Sequence, residues 1–364
     1  MRAGAMQADM NSPPRAAVVG AGIAGLSCAT LLQSAGFAVS VFDKSRGPSG
    51  RMSTRRGDGW QCDHGAQYFT ARQPDFRAEV ARWQHAGVAA SWRPRLHVLG
   101  DPSAHVPDPD LERFVGLPRM SAPCRFLAAG LDIEVGTTIR QLQRRADGWH
   151  LRSTERGWLD RSFDVVLLAL PAPQATPLLS GVAADLAVLA GQVVMRGAWA
   201  LMLRFAAPLE LPFDAAFVNS GPLRWIARDN SKPGRGAAET WLLHANAAWS
   251  EAHMEDDADR VSTILQQAFA DLVSVTGGLP EAPAWVAHRW RYADGATPLN
   301  HSCLWHAGSR IGLCGDWLNG GKVEGAWLSG RELGERVAAD FRDHGATSAG
   351  PGFAADVREA QRRL

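Results

Sequence analysis

The sequence predicts an α/β protein, a discontinuous Rossmann-like domain interleaved with a second, α+β domain. Three observations predict it. Near the start, the apolar run Ala16-Ala17-Val18-Val19 ends at Gly20 and leads into residues at helical spacing. Near the end, Ile311 to Cys314 is another short apolar run before a helical stretch. Between them, composition shifts at about Ala175 toward a separate set of strands around one amphipathic helix. At roughly 100–200 residues per domain, a chain of 364 residues holds about two domains.

The elements follow in order. A continuously apolar Ala16–Val19 reads as a strand buried on both faces. Ile23, Leu26, Ala29 or Thr30, and Leu32 or Gln33 recur at spacings of three or four, and Gly36 is a helix stop. A strand from Phe37 to Phe42 ends at Asp43, completing a βαβ start. Lys44 to Gly59 is polar, rich in glycine and arginine, and reads as a long loop, a feature that is usually functional. Pro74 to His85 reads as a helix, and Ser91 to Pro123 as proline-rich and irregular. Leu131 to Trp158 reads as a meander: Ile133-Glu134-Val135, then Thr138 to Arg144, a turn at Asp147-Gly148, and Trp149 to Ser153. Phe163 to Leu170 is a further buried strand, stopped by Pro171 and Pro173. The second domain has strands at Ala200 to Phe205, Leu223 to Ala227 and Thr240 to Ala245, and a helix near Asp257 to Val273. A last helix is expected from about Glu324 to Asp340.

Composition excludes several classes. Apolar residues are 46% and charged residues 21%, ordinary globular usage rather than that of a disordered chain. A net charge of +1 argues against a nucleic-acid partner held by overall positive charge. Ala16 to Leu32 falls short of the roughly 20 apolar residues of a membrane span. Five cysteines form no C-x-x-C, so neither a disulfide framework nor a metal site is expected, and a cytoplasmic location fits. Met1 to Arg15 has no apolar h-region and reads as a flexible leader, with Met6 or Met10 as possible starts.

The motif Gly20-Ala21-Gly22-Ile23-Ala24-Gly25 is G-x-G-x-x-G between a strand and a helix, with Asp43 at the end of the next strand. Glycines permit a tight turn and close backbone approach, and the helix N-terminus holds a pyrophosphate through free N–H groups. Asp43 would accept hydrogen bonds from an adenosine ribose. NAD and FAD both satisfy this signature.

The residues after Asp43 decide between them. Lys44-Ser45-Arg46-Gly47-Pro48-Ser49-Gly50-Arg51-Met52-Ser53-Thr54 resembles the G-G-R-x-x-T loop of the flavin-containing amine oxidase superfamily, with Ser49 in place of the first glycine. Gly315-Asp316 and the helix opening Val323-Glu324-Gly325-Ala326 resemble the C-terminal flavin motif of the same superfamily. The resemblance implies non-covalent FAD, with Asp316 on the ribityl–phosphate region and Glu324, Gly325 and Ala326 near the flavin pyrimidine edge. It assigns to the cofactor Gly20, Gly22, Ile23, Ala24, Gly25, Asp43, Lys44, Gly50 and Arg51 as well. Ala66 and Gln67, in Asp63-His64-Gly65-Ala66-Gln67-Tyr68, are expected to contact the ring.

A narrower resemblance, to bacterial renalase and its relatives, is carried by Phe42 to Gly47, Asp63 to Arg72, His288-Arg289-Trp290-Arg291-Tyr292-Ala293 and Cys314 to Gly330. It implies an oxidase of dihydropyridine isomers of NAD(P)H, with dioxygen taking the electrons and giving hydrogen peroxide. No catalytic side chain is assigned, since FAD itself accepts the hydride. His288, Arg289, Trp290 and Arg291 are candidate substrate residues. Alternate residues of a strand share a face, so Arg289 and Arg291 should point together toward substrate phosphates, with Trp290 opposite. The competing readings are another flavin enzyme of the superfamily, either an amine oxidase, which only two tyrosines and three lysines disfavour, or a desaturase, and a non-catalytic FAD-binding protein. The expected division is a leader at 1–15, FAD-binding segments at 16–90, 125–174 and 290–345, substrate-domain segments at 91–124 and 175–289, and a tail at 346–364.

Overall fold

A computed structural model describes residues 12–101, 108, 110–273, 284–295 and 299–346. Most of the expected leader and nearly all of the tail lie outside these residues. Two six-stranded sheets organise the rest.

The first sheet runs Leu304–His306, Ile311–Leu313, Val165–Leu168, Arg15–Val19, Ala38–Asp43 and Asp132–Val135. Its neighbours are parallel except the first pair; Val18 stands opposite Leu167 on one side and Val41 on the other. Successive residues alternate between two cores. Ala16, Val18, Val39, Val41, Val165 and Leu167 pack with the helices Ile23–Ser34 and Lys322–Ala346. Ala17, Val19, Phe42, Val166 and Leu168 pack under an antiparallel meander of Ile139–Arg145, Gly148–Ser153 and Gly157–Phe163. Burial on both faces is why these strands are apolar throughout. Ligands of such sheets bind beyond the carboxyl ends of the strands, here near Val19, Asp43 and Leu313.

The second sheet runs Ala284–Gly295, Met195–Arg204, Thr240–Ala245, Leu223–Arg228, Ala215–Val218 and Leu96–Leu99. One face, with Leu201, Leu203, Ile226 and Leu243, packs on the helix Ala258–Val273. The other face, with Ala200, Met202 and Leu242, meets Trp60 and Cys62 of the first domain.

The structure corrects several expectations. Lys44 to Gly59 is not one loop: Gly50–Met52 is a short 3-10 turn, and Thr54–Gly57 forms a hairpin with Trp60–Asp63. Asp132–Val135 leaves the meander and becomes the edge of the parallel sheet, pairing with Ala38–Asp43. Phe163 ends the meander, and the buried strand starts at Val165. The proline-rich stretch holds Leu96–Leu99, which joins the second sheet, and Phe114–Gly116, which pairs with Ala89–Ser91. The expected boundary after residue 289 falls inside Ala284–Gly295, which continues in the second sheet to its end. Among the described residues, no helix is long and apolar enough to cross a membrane.

Candidate functional site

The first turn of Ile23–Ser34 anchors the site. Gly20 has φ 111°, and a Cβ there would lie 2.4 Å from the carbonyl oxygen of Ala169, so only glycine fits. Gly22 is the N-cap and no side chain caps the helix. A Cβ on Gly22 would meet nothing within 4 Å, which leaves open space at the cap beside Ile23, Ala24 and Gly25. Asp43 binds the turn itself: its Oδ2 accepts from the Ala21 N–H at 2.7 Å and its Oδ1 from the Ser45 N–H at 2.7 Å. Lys44 beside it is exposed.

The arginine loop folds against the glycine turn. The Ser49 N–H donates to the Ala21 carbonyl at 3.0 Å, and a Cβ at Gly50 would lie 3.2 Å from the Cα of Gly22. Ser49 has φ 149°, a conformation suited to the glycine it replaces. Arg51 reaches across to the far end of the chain. Its Nη1 donates to Asp316 Oδ2 at 2.9 Å and to the Ala293 carbonyl at 2.9 Å, and its Nη2 to Asp316 Oδ1 at 2.5 Å. Gly325 and Ala326 are buried at the start of the C-terminal helix, where a Cβ on Gly325 would clash with the Asn319 carbonyl.

Three residues expected at the cofactor also make bonds within the protein. Glu324 Oε1 accepts from the Arg72 and Gln73 N–H groups at 2.8 and 2.6 Å, tying down the chain just before the helix Pro74–His85. The Ala66 N–H donates to the Arg51 carbonyl at 2.9 Å. The buried Gln67 amide donates to the Asp63 carbonyl, and its Oε1 accepts from Lys232 Nζ at 3.2 Å.

The alternation at 288–291 is as expected, but its polarity is reversed. Arg289 and Arg291 do share a face, and both bind the exposed Glu255, at 3.1 and 2.6 Å, on the outer side of the sheet. His288 and Trp290 face inward. The Trp290 ring stacks on His64 at 5.1 Å between centroids, and its Nε1 donates to the His64 carbonyl at 2.9 Å. His288 packs edge-on to both, at 4.7 and 4.4 Å. The sheet puts its face with Ala198 and Ala200 toward the first domain, so the residues paired with them, Trp290 and His288, follow. Burial depresses His64 to about 3 and His288 to about 4, and the Arg55 cation pushes both the same way. His244, with Nε2 3.1 Å from the His64 carbonyl, is lowered to about 3, again mainly by burial. All three imidazoles are neutral at pH 7.

Behind this wall lies a buried ion cluster that the sequence reading missed. Lys232 Nζ contacts Asp229 Oδ1 at 2.9 Å and Asp63 Oδ2 at 3.2 Å, and Arg235 Nη2 contacts Asp63 Oδ2 at 2.5 Å. Two acids and two bases cancel, as burial demands. Burial alone would raise Asp63, but Lys232, Arg235 and the Thr54 hydroxyl outweigh it and hold the carboxyl at about 2. A signal existed: one of only three lysines stands three residues from both Asp229 and Arg235 in a tight turn. His244, the one ionisable residue in the strand Thr240–Ala245, was another.

Comparison with known proteins agrees with this geometry. Residues 18–83 match an NAD(P)-binding Rossmann-like domain, and residues 84–338, well over half the chain, match the flavin containing amine oxidoreductase family. The tRNA 5-methylaminomethyl-2-thiouridine biosynthesis bifunctional protein of Magnetococcus marinus is 28% identical over 207 residues, 45% of this chain and 30% of that protein. Hydroxyneurosporene desaturase of Rubrivivax gelatinosus is 40% identical over 101 residues, 24% of this chain and 19% of that one. The chain thus spans less than a third of either relative. In fold, a candidate protoporphyrinogen oxidase from Exiguobacterium sp. 255-15 superposes with a TM-score of 0.73 at 12% identity, covering 90% of this chain and 99% of that one. Putrescine oxidase bound to putrescine gives 0.65 at 14%, with the same coverage. The family's cofactor, FAD, fits the residues present: an uncapped helix N-terminus with open space at Gly22 suits a pyrophosphate. On the match over residues 84–338, this chain belongs to the flavin containing amine oxidoreductase family and is an FAD-dependent oxidoreductase.

Proposed function

We propose that this protein is a renalase-like oxidase of dihydropyridine isomers of NAD(P)H, working in the cytoplasm with dioxygen as electron acceptor. In this reading the parallel sheet is the FAD-binding half and the mixed sheet the substrate half. The Gly20–Gly25 turn, Asp43 and Gly50 hold the dinucleotide end of the cofactor, and Arg51 and Asp316 stand nearer the flavin. FAD, when bound, supplies the hydride acceptor.

The observation that carries the reading is the charge of the inward wall. His64, His244 and His288 are neutral, and Arg55 is the cation near enough to depress two of them. The acids nearby are all engaged: Asp63 and Asp229 with Lys232, and Asp294 with Arg224 at 2.9 Å. Among the described residues, a cationic amine finds no carboxylate there that lacks an ion-pair partner. A flat, uncharged dihydropyridine ring can stack on Trp290. The buried Nδ1 of His64 has no hydrogen-bond partner among the described residues, so this wall keeps an unused polar atom. Five buried free cysteines suit a reducing compartment.

A second reading, a desaturase or another flavin oxidase, draws on the 40% identity to hydroxyneurosporene desaturase. One experiment separates them. FAD-loaded protein is mixed anaerobically with dihydropyridine isomers of NADH, with putrescine, or with an apolar polyene, and the visible flavin band is followed. Bleaching by the dihydropyridines is expected; bleaching by the amine or polyene alone overturns the proposal.

A further inference from the structure

A cavity of about 270 Å³ opens beside the ion cluster, between the Trp60–Asp63 strand and the turn bearing Asp229 and Arg235. Trp60, Gln61, Arg119 and Gly236 complete its main walls. Three polar atoms of its lining residues have no hydrogen-bond partner: Arg119 Nε, Arg235 Nε and Asp229 Oδ2. The Arg235 and Asp229 side chains are each 1% exposed, and these two atoms, 3.8 Å apart, form an ion pair too long for a hydrogen bond. Buried polar groups are nearly always hydrogen-bonded, so an unmatched set at one cavity points to a ligand.

The set has a definite chemistry. Two guanidinium donors call for acceptor oxygens, and one carboxylate oxygen calls for a donor. The surroundings are cationic. Arg119 forms no ion pair among the described residues; burial, and then Arg56, Arg125 and Arg235, depress its pKa. We propose that this cavity binds a small oxyanion that carries its own O–H group, with hydrogen phosphate as the reference ligand. Its unprotonated oxygens would accept from Arg119 and Arg235, while its P–OH would donate to Asp229. Bicarbonate shares this chemistry. Sulfate does not: with no O–H at neutral pH, it would set a bare oxygen against the Asp229 carboxylate. The proposal is independent of which substrate the flavin oxidises.

The test is isothermal titration of FAD-loaded protein, whose own pyrophosphate cradle is filled, with inorganic phosphate, bicarbonate and sulfate. One phosphate or one bicarbonate per chain is expected, whichever binds tighter being the ligand, with sulfate at least ten-fold weaker. Arg119→Ala should lower affinity at least ten-fold. Gly236 lines the cavity and a Cβ there meets nothing within 4 Å, so Gly236→Leu has room to crowd its mouth and should lower affinity at least ten-fold. Both variants should keep their FAD. Sulfate binding as tightly as phosphate, binding unchanged in both variants, or no heat with millimolar phosphate and bicarbonate would each overturn the proposal.

Discussion

Arg51 and Asp316, 265 positions apart, are joined by a two-pronged ion pair at 2.9 and 2.5 Å. This contact ties the loop after the second strand to the turn before the C-terminal helix, and so closes the carboxyl end of the first sheet's strands. Two parallel N–H···O bonds fix both groups more tightly than a point charge would.

Breaking that pair should therefore matter. Asp316→Ala leaves a partly buried guanidinium without its carboxylate and should cost about 1–3 kcal/mol of stability. Asp316→Asn keeps one acceptor and should cost less. Denaturant midpoints of the FAD-free proteins measure both, and equal midpoints for wild type and Asp316→Ala would show the pair to be idle.

Asp43→Ala removes the acceptor that orders the Ala21 and Ser45 amides. FAD binding should weaken by about 1.5–3 kcal/mol, the worth of hydrogen bonds to a charged group. Flavin fluorescence titration reads this directly. Full flavin retention after dialysis of the variant would argue against the role.

Ser49→Gly should stabilise the protein. Ser49 sits at φ 149°, and such backbone strain costs about 1–3 kcal/mol. Glycine's greater unfolded-state freedom offsets roughly 0.5–1 kcal/mol of the relief. A net gain of about 1 kcal/mol is expected, seen as a raised melting temperature; a lowered one contradicts it.

Substrate variants should split by face. Arg291→Ala loses only its ties to the exposed Glu255, and Arg289→Ala loses in addition a bond to the Met254 carbonyl and its place over the Trp199 ring; all of these lie on the outer face, so both variants should leave KM nearly unchanged. Trp290→Ala and His288→Ala remove the inward wall and should impair turnover while FAD remains bound. Steady-state kinetics with the substrate that bleaches the flavin decides; a raised KM in the arginine variants alone would restore their expected role.

Acid should destabilise the fold before the carboxylates titrate. His64 and His244 are held at about 3 in the folded state, against 6.5 as the ordinary value. Below pH 6.5 the unfolded chain takes up protons that the folded chain refuses, so stability falls as pH drops from 6.5 toward 4. Each such group contributes up to roughly 1.4 kcal/mol per pH unit. Asp63, held at about 2 against 3.8, adds its loss only below that window. Urea titrations at pH 7, 6 and 5 should show the trend, and His64→Asn should flatten it.

Much was legible in the sequence because local physics wrote it there. The G-x-G-x-x-G turn, the strand–helix–strand order, Pro74–His85 and Thr240–Ala245 follow from periodicity, glycine and proline alone. So does the rule that Arg289 and Arg291 share a face, since strand alternation is a property of the chain. Which face looks inward is not. That depends on the docking of the second sheet against Trp60 and Cys62, and it turned Trp290 and His288 toward His64 and the arginines toward solvent. Likewise, Asp132–Val135 has the pattern of any short strand, and only a vacant parallel edge beside Ala38–Asp43 drew it out of the meander. Glu324 meets the amides of Arg72 and Gln73, and Gln67 meets the buried Lys232, because the fold brings those donors beside them. The cluster of Asp63, Asp229, Lys232 and Arg235 exists only once two domains exclude water around it. Sequence by itself determined the nucleotide-binding frame and the periodic direction of each side chain; tertiary packing decided which polar groups meet, because partners for buried charges are assigned by proximity in space.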